Sequence, residues 1–443
     1  MIVLMNIQGG TFMGEQQFPL KKRLLANYDY SFDRHGVSGD RLASRLHQLA
    51  QIGLTADNGS NRPGFSPQEL TAKKLVATWM EAAGLIVTTD GAGNVFGRLE
   101  GNNPTKKTIM SGSHVDTVPN GGHFDGTLGV LAALEVVEAW KKTGYQPERT
   151  FEVVIFSDEE GARFNSGLLG SEAVIGASQI NEKLQLTDQD GYSFSEVLQS
   201  VDLTVEGYLA SERDMEEYEL FVEVHIEQGK RLERNNIPCG IVTGIAGPCW
   251  VEFTFIGEAG HAGNTPMNDR KDALVAASEF IQLVPTIPTK ISKSAVATIG
   301  KIAVKPNGVN VIPGEVSLYV DIRDINKTDQ ENLTTQVKEA AKEVAHKHGV
   351  ELTWEEKIRV SPVPIREEYQ AMLKDVMKEQ EIEPYYLPSG AGHDAMVIGE
   401  KIPAAMIFVQ SKDGISHRPD EWSDLTDCVQ AVHVLKRFLE KQQ

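Results

Sequence analysis

The fold turns on KTIMSGSHVDTVPNGGHFDG, residues 107–126. Its opening, residues 107–112, is a short apolar run bounded by polar turns and reads as one strand of a buried sheet. The remainder is a loop carrying His114, Asp116 and Asp125 among Gly121, Gly122 and Gly126, before a periodic helix over 127–142. In open α/β sheets ligands bind beyond the carboxyl ends of the strands, and His114 stands at such an end. Asp116, two residues on, is placed to accept a hydrogen bond from that imidazole. Asp125 falls at the mouth of the helix. A solvated turn explains His-x-Asp taken alone; the glycine-flanked Asp125 favours a functional loop.

The same address recurs on either side. An apolar strand over 151–156 ends in Phe156-Ser157-Asp158-Glu159-Glu160-Gly161. A run of acids is ordinarily a solvated loop. At a strand terminus, neighbouring side chains diverge, so one can ligate a metal while the other faces a bound water. A third strand, 220–225, ends at His225-Ile226-Glu227-Gln228-Gly229, where His225 amid Val222, Val224 and Ile226 fits a packed core histidine equally well. A fourth, 404–409, is followed by Gly414-Ile415-Ser416-His417-Arg418-Pro419. Four strand ends thus deliver His114, Asp125, Glu160, His225 and His417. Two carboxylates and three imidazoles suit a pair of zinc-like ions that share one bridging carboxylate.

Further out, Ser66-Pro67-Gln68-Glu69 opens a helix with an N-cap and capping-box glutamate, and Gly84 closes it. Strands alternating with helices over the first 240 residues indicate an α/β sheet covered on both faces. Residues 245–357 differ. There 250–255 and 316–323 alternate apolar and polar, placing Val316, Leu318, Val320 and Ile322 on one face and Ser317, Tyr319, Asp321 and Arg323 on the other. With helices at 272–284 and 328–348 and strands at 295–304 and 351–354, the order is the split, ferredoxin-like β-α-β-β-α-β of a smaller α+β unit. Strand 404–409 and a helix over 425–441 resume the first pattern. The chain therefore reads as a discontinuous catalytic domain, 1–244 plus 358–443, with 245–357 inserted and two crossings that can hinge. Residues 1–18 read either as a loose arm or as an artefact of start-codon choice, since Met5 and Met13 also offer starts.

Composition narrows the partners. The 443 residues hold 43 Lys+Arg against 62 Asp+Glu, a formal charge of −19, and no basic block stands out. That argues against nucleic acid or an acidic membrane surface. Cys239, Cys249 and Cys428 form no CxxC pair, so a disulfide framework and a cysteine zinc site are not expected, and the thiols read as packing groups in a reducing cytoplasm. No apolar run approaches the ~18–20 residues of a membrane span. The opening MIVLM lacks the basic flank of a signal peptide. A cytoplasmic location is expected.

These motifs together resemble the dinuclear metallo-aminoacylase/carboxypeptidase (M20-type) superfamily over residues 35–440, and specifically its hydantoinase/carbamoylase branch. The resemblance implies a mixed-sheet di-metal hydrolase domain of aminopeptidase type with an inserted lid and dimerisation domain. It assigns one divalent ion to His114, Asp125 and His225 and another to Asp125, Glu160 and His417, with zinc, manganese, cobalt or nickel all admissible. Glu159 becomes the general base and Asp116 an outer partner of His114. The His225–Gly229 string points to this branch, because peptidase relatives usually place a carboxylate at that ligand position. His261, in Ala259-Gly260-His261-Ala262-Gly263, matches an oxyanion-stabilising lid histidine. Asn310 and Arg323 match residues that bind a substrate carboxylate, and Gln228 and His393 match further substrate contacts. Without the resemblance, Asn310 is a turn asparagine and Arg323 a surface ion pair with Asp321 or Asp324. His35, His47, His123, His346, His348 and His433 receive no role. The implied substrate is a small ureido compound bearing a carboxylate. The first expectation is hydrolysis of N-carbamoyl-L-amino acids, with allantoate hydrolysis as the alternative. A dinuclear aminopeptidase and a non-catalytic binder rank below both, because a binder should lose the base or a ligand. A homodimer joined through the lid, with His261 serving the partner's site, is also implied.

Overall fold

The computed structural model describes residues 18–177 and 180–443. The arm read over residues 1–18 lies outside them except for Phe18, which is buried in the main core. The main sheet begins with β1 (Ile86–Thr89), β2 (Val95–Leu99), β3 (Thr108–His114), β4 (Phe151–Phe156), β5 (Tyr218–Ile226) and β6 (Cys239–Ile245). The chain then leaves it for β7 (Gly247–Ile256), β8 (Gly260–His261), β9 (Val296–Lys305), β10 (Val311–Ile312), β11 (Glu315–Asp324) and β12 (Glu351–Arg359). It returns through β13 (Val363–Pro364), β14 (Tyr386–Ser389) and β15 (Ala404–Val409).

The main sheet runs β1-β2-β4-β3-β5-β15-β6-β13, with β14 also beside β6. Its centre, β4-β3-β5-β15, is parallel throughout, whereas β2 and β6 run antiparallel to their neighbours in it. Strands β3, β4 and β15 are buried along their whole length, as a parallel sheet covered on both faces requires. Helix Thr127–Thr143 packs across β3, β4 and β5 and against helices Gly39–Ala50 and Leu425–Lys441. Helix Pro67–Ala83 starts where Ser66 caps it, accepting the Glu69 N–H, and ends at Gly84. The decisive consequence is geometric. Four adjacent strands, ~4.8 Å apart, present their carboxyl ends along one edge.

The second sheet is antiparallel in the order β12-β7-β11-β9. Val316, Leu318, Val320 and Ile322 are fully buried beneath helices Ala273–Leu283 and Lys327–His348, in a core separate from the main one. The opposite face of β11 stays part-exposed. The short β8–β10 ribbon pairs His261 with Val311. Among the described residues no helix is long and apolar enough to cross a membrane.

The structure departs from the sequence reading mainly at element ends. β3 runs on to His114, making this histidine the last strand residue, and β12 extends to Arg359. β1, β2, β6 and β14 are strands in addition to those read from the sequence. β1 is a largely exposed edge, and β6 includes Gly240 and Gly244, which interrupt its apolar pattern.

Candidate metal centre

The carboxyl ends of β3 and β5 bring two buried imidazoles to the same oxygen of Asp125. His114 Nδ1 donates to the Asp116 carbonyl (3.1 Å) and His225 Nδ1 to the Ile226 carbonyl (2.9 Å). A carbonyl can only accept, so both rings carry the Nδ1 proton and turn Nε2 inward. His225 Nε2 lies 2.9 Å and His114 Nε2 3.7 Å from Asp125 Oδ1. The other oxygen of Asp125 faces His417 Nε2 at 3.4 Å, and that nitrogen lies 3.3 Å from Glu160 Oε2. Two donor groups therefore share one carboxylate: His114, Asp125 and His225, all buried, and Asp125, Glu160 and the more open His417.

Asp116 does more than orient an imidazole. Its carboxylate lies 3.4 Å from His114 Nδ1 and accepts the backbone N–H groups of Glu159 (3.2 Å) and Glu160 (3.1 Å). It thereby fastens the acidic loop after β4 to the loop after β3. Glu159 Oε2 lies 3.5 Å from His114 Nε2. Burial, and then the charges of Asp394 and Glu160, push the Glu159 carboxyl well above the usual range against the pull of His114.

The donors fit divalent cations. His114 Nε2 and Glu160 Oε1 are buried with no hydrogen-bond partner among the described residues. Burial disfavours charge on His114 and His225, yet the surrounding carboxylates, Glu159 foremost for one and Asp125 for the other, raise both pKa values. His417 is pushed up to about 11 by Asp125 and Glu160. Asp125, despite burial, is held well below the carboxylate range by His225 and His417. The site calls for positive charge at its centre, and its imidazole and carboxylate donors suit metals that accept mixed N/O ligands.

Other residues singled out in the sequence are placed as follows. Gln228 donates from Nε2 to Asp125 Oδ2 (2.9 Å) and to Ser416 Oγ (3.2 Å), so here it steadies the shared carboxylate. His393 is buried, bonded to Ser389 Oγ (2.8 Å), and packs 4.4 Å from the His225 ring. Burial and His225 hold it well below the usual histidine range, hence neutral. Arg323 gives its Nε and Nη2 edge to Asp321 (3.0 and 2.9 Å) and its Nη1 to the Gly390 carbonyl (2.7 Å), bridging the second sheet to the main one. It lines a 400 Å³ cavity with Gln228, Ser389 and Ala391. His261 and Asn310 are exposed neighbours, with Ala262 N–H on the Asn310 carbonyl (3.0 Å). His261 Nδ1 accepts the Gly263 and Asn264 N–H groups, which leaves Nε2 as a proton-bearing donor facing outward. Among the described residues, no hydrogen bond or ion pair joins either to the Asp125 cluster.

Sequence reasoning gave no role to Arg62, Glu223, Ser416 or Glu421. Buried Arg62 donates to the carbonyls of Leu49, Ile52 and Val115, pinning the base of the His114 loop. Glu223 accepts from Ser113 Oγ and the Ala395 N–H. Only Glu421 had a visible signal, its place four residues beyond His417. The cysteines are free and buried.

A parallel α/β edge with carboxylate–imidazole donors converging on one aspartate marks a hydrolase of the metalloenzyme type. Residues 110–441 match the model of Peptidase family M20/M25/M40, and the chain belongs to that family. It is 41% identical to an N-carbamoyl-L-amino-acid amidohydrolase of Pseudomonas sp. (strain NS671), covering 91% of this chain and 98% of that one. It is 36% identical to an allantoate amidohydrolase of Bacillus subtilis (strain 168), covering 89% and 96%. The crystal structure of an amidase of the hydantoinase/carbamoylase family from Burkholderia multivorans superposes with a TM-score of 0.84 at 33% identity, covering 92% and 98%.

Proposed function

We propose that this chain is a metal-dependent amidohydrolase that cleaves the ureido C–N bond of N-carbamoyl-L-amino acids, yielding the amino acid, ammonia and carbon dioxide. The observation that carries this reading is Asp125, which turns one oxygen to each of two donor groups. His114, Asp125 and His225 would hold one divalent ion and Asp125, Glu160 and His417 a second. Zinc, manganese, cobalt and nickel all suit such donors. When bound, these ions lower the pKa of a coordinated water and polarise the scissile carbonyl. Glu159, facing the same space, takes the proton of the attacking water and returns it to the leaving nitrogen. His261 Nε2–H is the donor for the developing oxyanion. Arg323, its side edge held by Asp321, and Asn310 anchor the substrate carboxylate, with Gln228 and His393 lining the approach.

The division of labour follows the two sheets. The chain up to β6 and from β13 onward carries the metal donors, and the insert from β7 to β12, Gly247–Arg359, carries His261, Asn310 and Arg323, so closing the insert over the edge assembles the site and excludes water. Edge strand β9 exposes Val296 and Ile302, and the neighbouring helix exposes Leu274, Val275 and Leu283. Those features support a homodimer through the insert, His261 then serving the partner's site. Three free thiols support a reducing, cytoplasmic location.

The allantoate amidohydrolase relative favours a second reading, in which the same site hydrolyses a ureido group of allantoate. Ammonia release from N-carbamoyl-L-methionine, its D enantiomer and allantoate, each with an EDTA-treated control, decides between them. Release from the L compound that EDTA abolishes is the expected result. Preference for allantoate establishes the second reading, and no release from any of the three overturns both.

A further inference from the structure

The loop after β15 ends in a carboxylate that reaches back across the site. Glu421 is buried, and its Oε1 accepts the backbone N–H groups of Phe124 (2.9 Å) and Asp125 (3.2 Å). Its Oε2 is bonded by Ser416 Oγ (2.9 Å), and Ser416 Oγ also lies 2.8 Å from Asp125 Oδ2. Ser416 has a single hydroxyl proton and gives it to one of these two carboxylates at a time, so Glu421 ties the Asp125 backbone to the residue before His417, beside the Asp125 carboxylate. The approach is built in: a Cβ on Gly122 would fall 2.0 Å from Glu421 Oε1, so only glycine leaves room for the carboxylate.

The two donor groups do not depend on this brace equally. His114 and His225 are held by strands β3 and β5 and by their own carbonyl bonds, whatever Glu421 does. His417 sits on a loop, half exposed at 50%, and the Asp125 oxygen it faces is the one that Ser416 steadies.

We infer that Glu421 is the positioning residue of the second metal site: the Asp125 backbone it holds is common to both donor groups, but through Ser416 it also holds the loop that carries His417, so the His417 side of the pair depends on it more than the His114–His225 side. This rests on the two-ion reading above. Outer partners of metal ligands typically contribute about 10–100-fold in affinity, so the effect is measurable.

The test is calorimetric titration of the full-length, metal-stripped protein with Mn²⁺ and separately with Zn²⁺, with circular dichroism to check folding. Wild type is expected to bind two equivalents. Glu421→Ala should keep one within about threefold and weaken the other by about tenfold or more. Glu421→Gln should restore both, because its carbonyl accepts the two amides while its NH₂ donates to Ser416. Ser416→Ala, which leaves Glu421 and the fold in place, should weaken the same single equivalent. Unchanged binding in the Ala variants, or equal loss of both equivalents in folded protein, overturns the inference. A wild type that takes up only one equivalent while hydrolysing ureido substrate overturns the two-ion reading and this inference together, and leaves the activity standing.

Discussion

Helix Thr127–Thr143 is bracketed by two glycines of positive φ, Gly126 at its start (φ 59, ψ −50) and Gly144 at its end (φ 70, ψ 18). Both have positive φ, and Gly144 serves as the control for testing whether the candidate metal centre demands Gly126. An alanine at Gly144, in the left-handed helical region, carries backbone strain of ~1–2 kcal/mol; at Gly126, whose ψ of −50 lies outside that region, it carries more. Only at Gly126 is there a second cost: the new Cβ would lie 2.3 Å from His114 Nε2 and 2.4 Å from two more ring atoms. Ordinary contact begins at 3.4 Å, so the ring must retreat by 1.1 Å. Metal–ligand distances tolerate only about 0.2 Å, and Nε2 is the atom turned toward Asp125. At Gly144 an added Cβ would meet nothing within 4 Å. Gly126→Ala should therefore lower metal affinity by about 10–100-fold on top of its stability loss, whereas Gly144→Ala should lose stability alone. Urea unfolding of the metal-free proteins reads the strain, and metal titration reads the ligand displacement. Wild-type metal affinity in Gly126→Ala would refute the reasoning, as would equal metal loss in Gly144→Ala.

Glu159→Gln should retain metal and substrate binding but lower kcat by about 10²–10⁴-fold; near-normal turnover in stopped-time ammonia assays excludes Glu159 as the base. Arg323→Ala, losing charge-assisted bonds of ~1.5–3 kcal/mol, should raise KM about 10–100-fold for carboxylate substrates with a smaller change in kcat. An unchanged KM removes its anchoring role. His433 is buried, donates Nε2–H to the Phe32 carbonyl (2.9 Å), and is lowered to about 4, chiefly by burial. Its folded pKa lies below the unfolded one, so its stability contribution is complete above ~6.5 and is lost as pH falls toward 4, by at most ~3 kcal/mol. His433→Gln should flatten urea stability between those pH values, and an unaltered slope counts against the assignment.

Much of this protein is legible along the chain. Strands Phe151–Phe156 and Ala404–Val409 and helix Leu425–Lys441 lie where local periodicity puts them, because the side-chain repeat of a buried element is a property of consecutive residues. The alternation of Val316, Leu318, Val320 and Ile322 likewise gives the inner face of β11. The chemistry-bearing types at strand ends, His114, Asp125, Glu160, His225 and His417, stand out for the same local reason. What no local pattern contains is which strands are neighbours. The order β4-β3-β5-β15 puts four loops, scattered over some 300 residues, along one edge. Only that adjacency gives Asp125 a different histidine at each oxygen, turns Gln228 onto the shared carboxylate and brings Glu421 to the Phe124 amide 297 positions away. Residue types and their spacing name the candidate donors; long-range strand pairing, which depends on the packing of the whole core, decides how they meet.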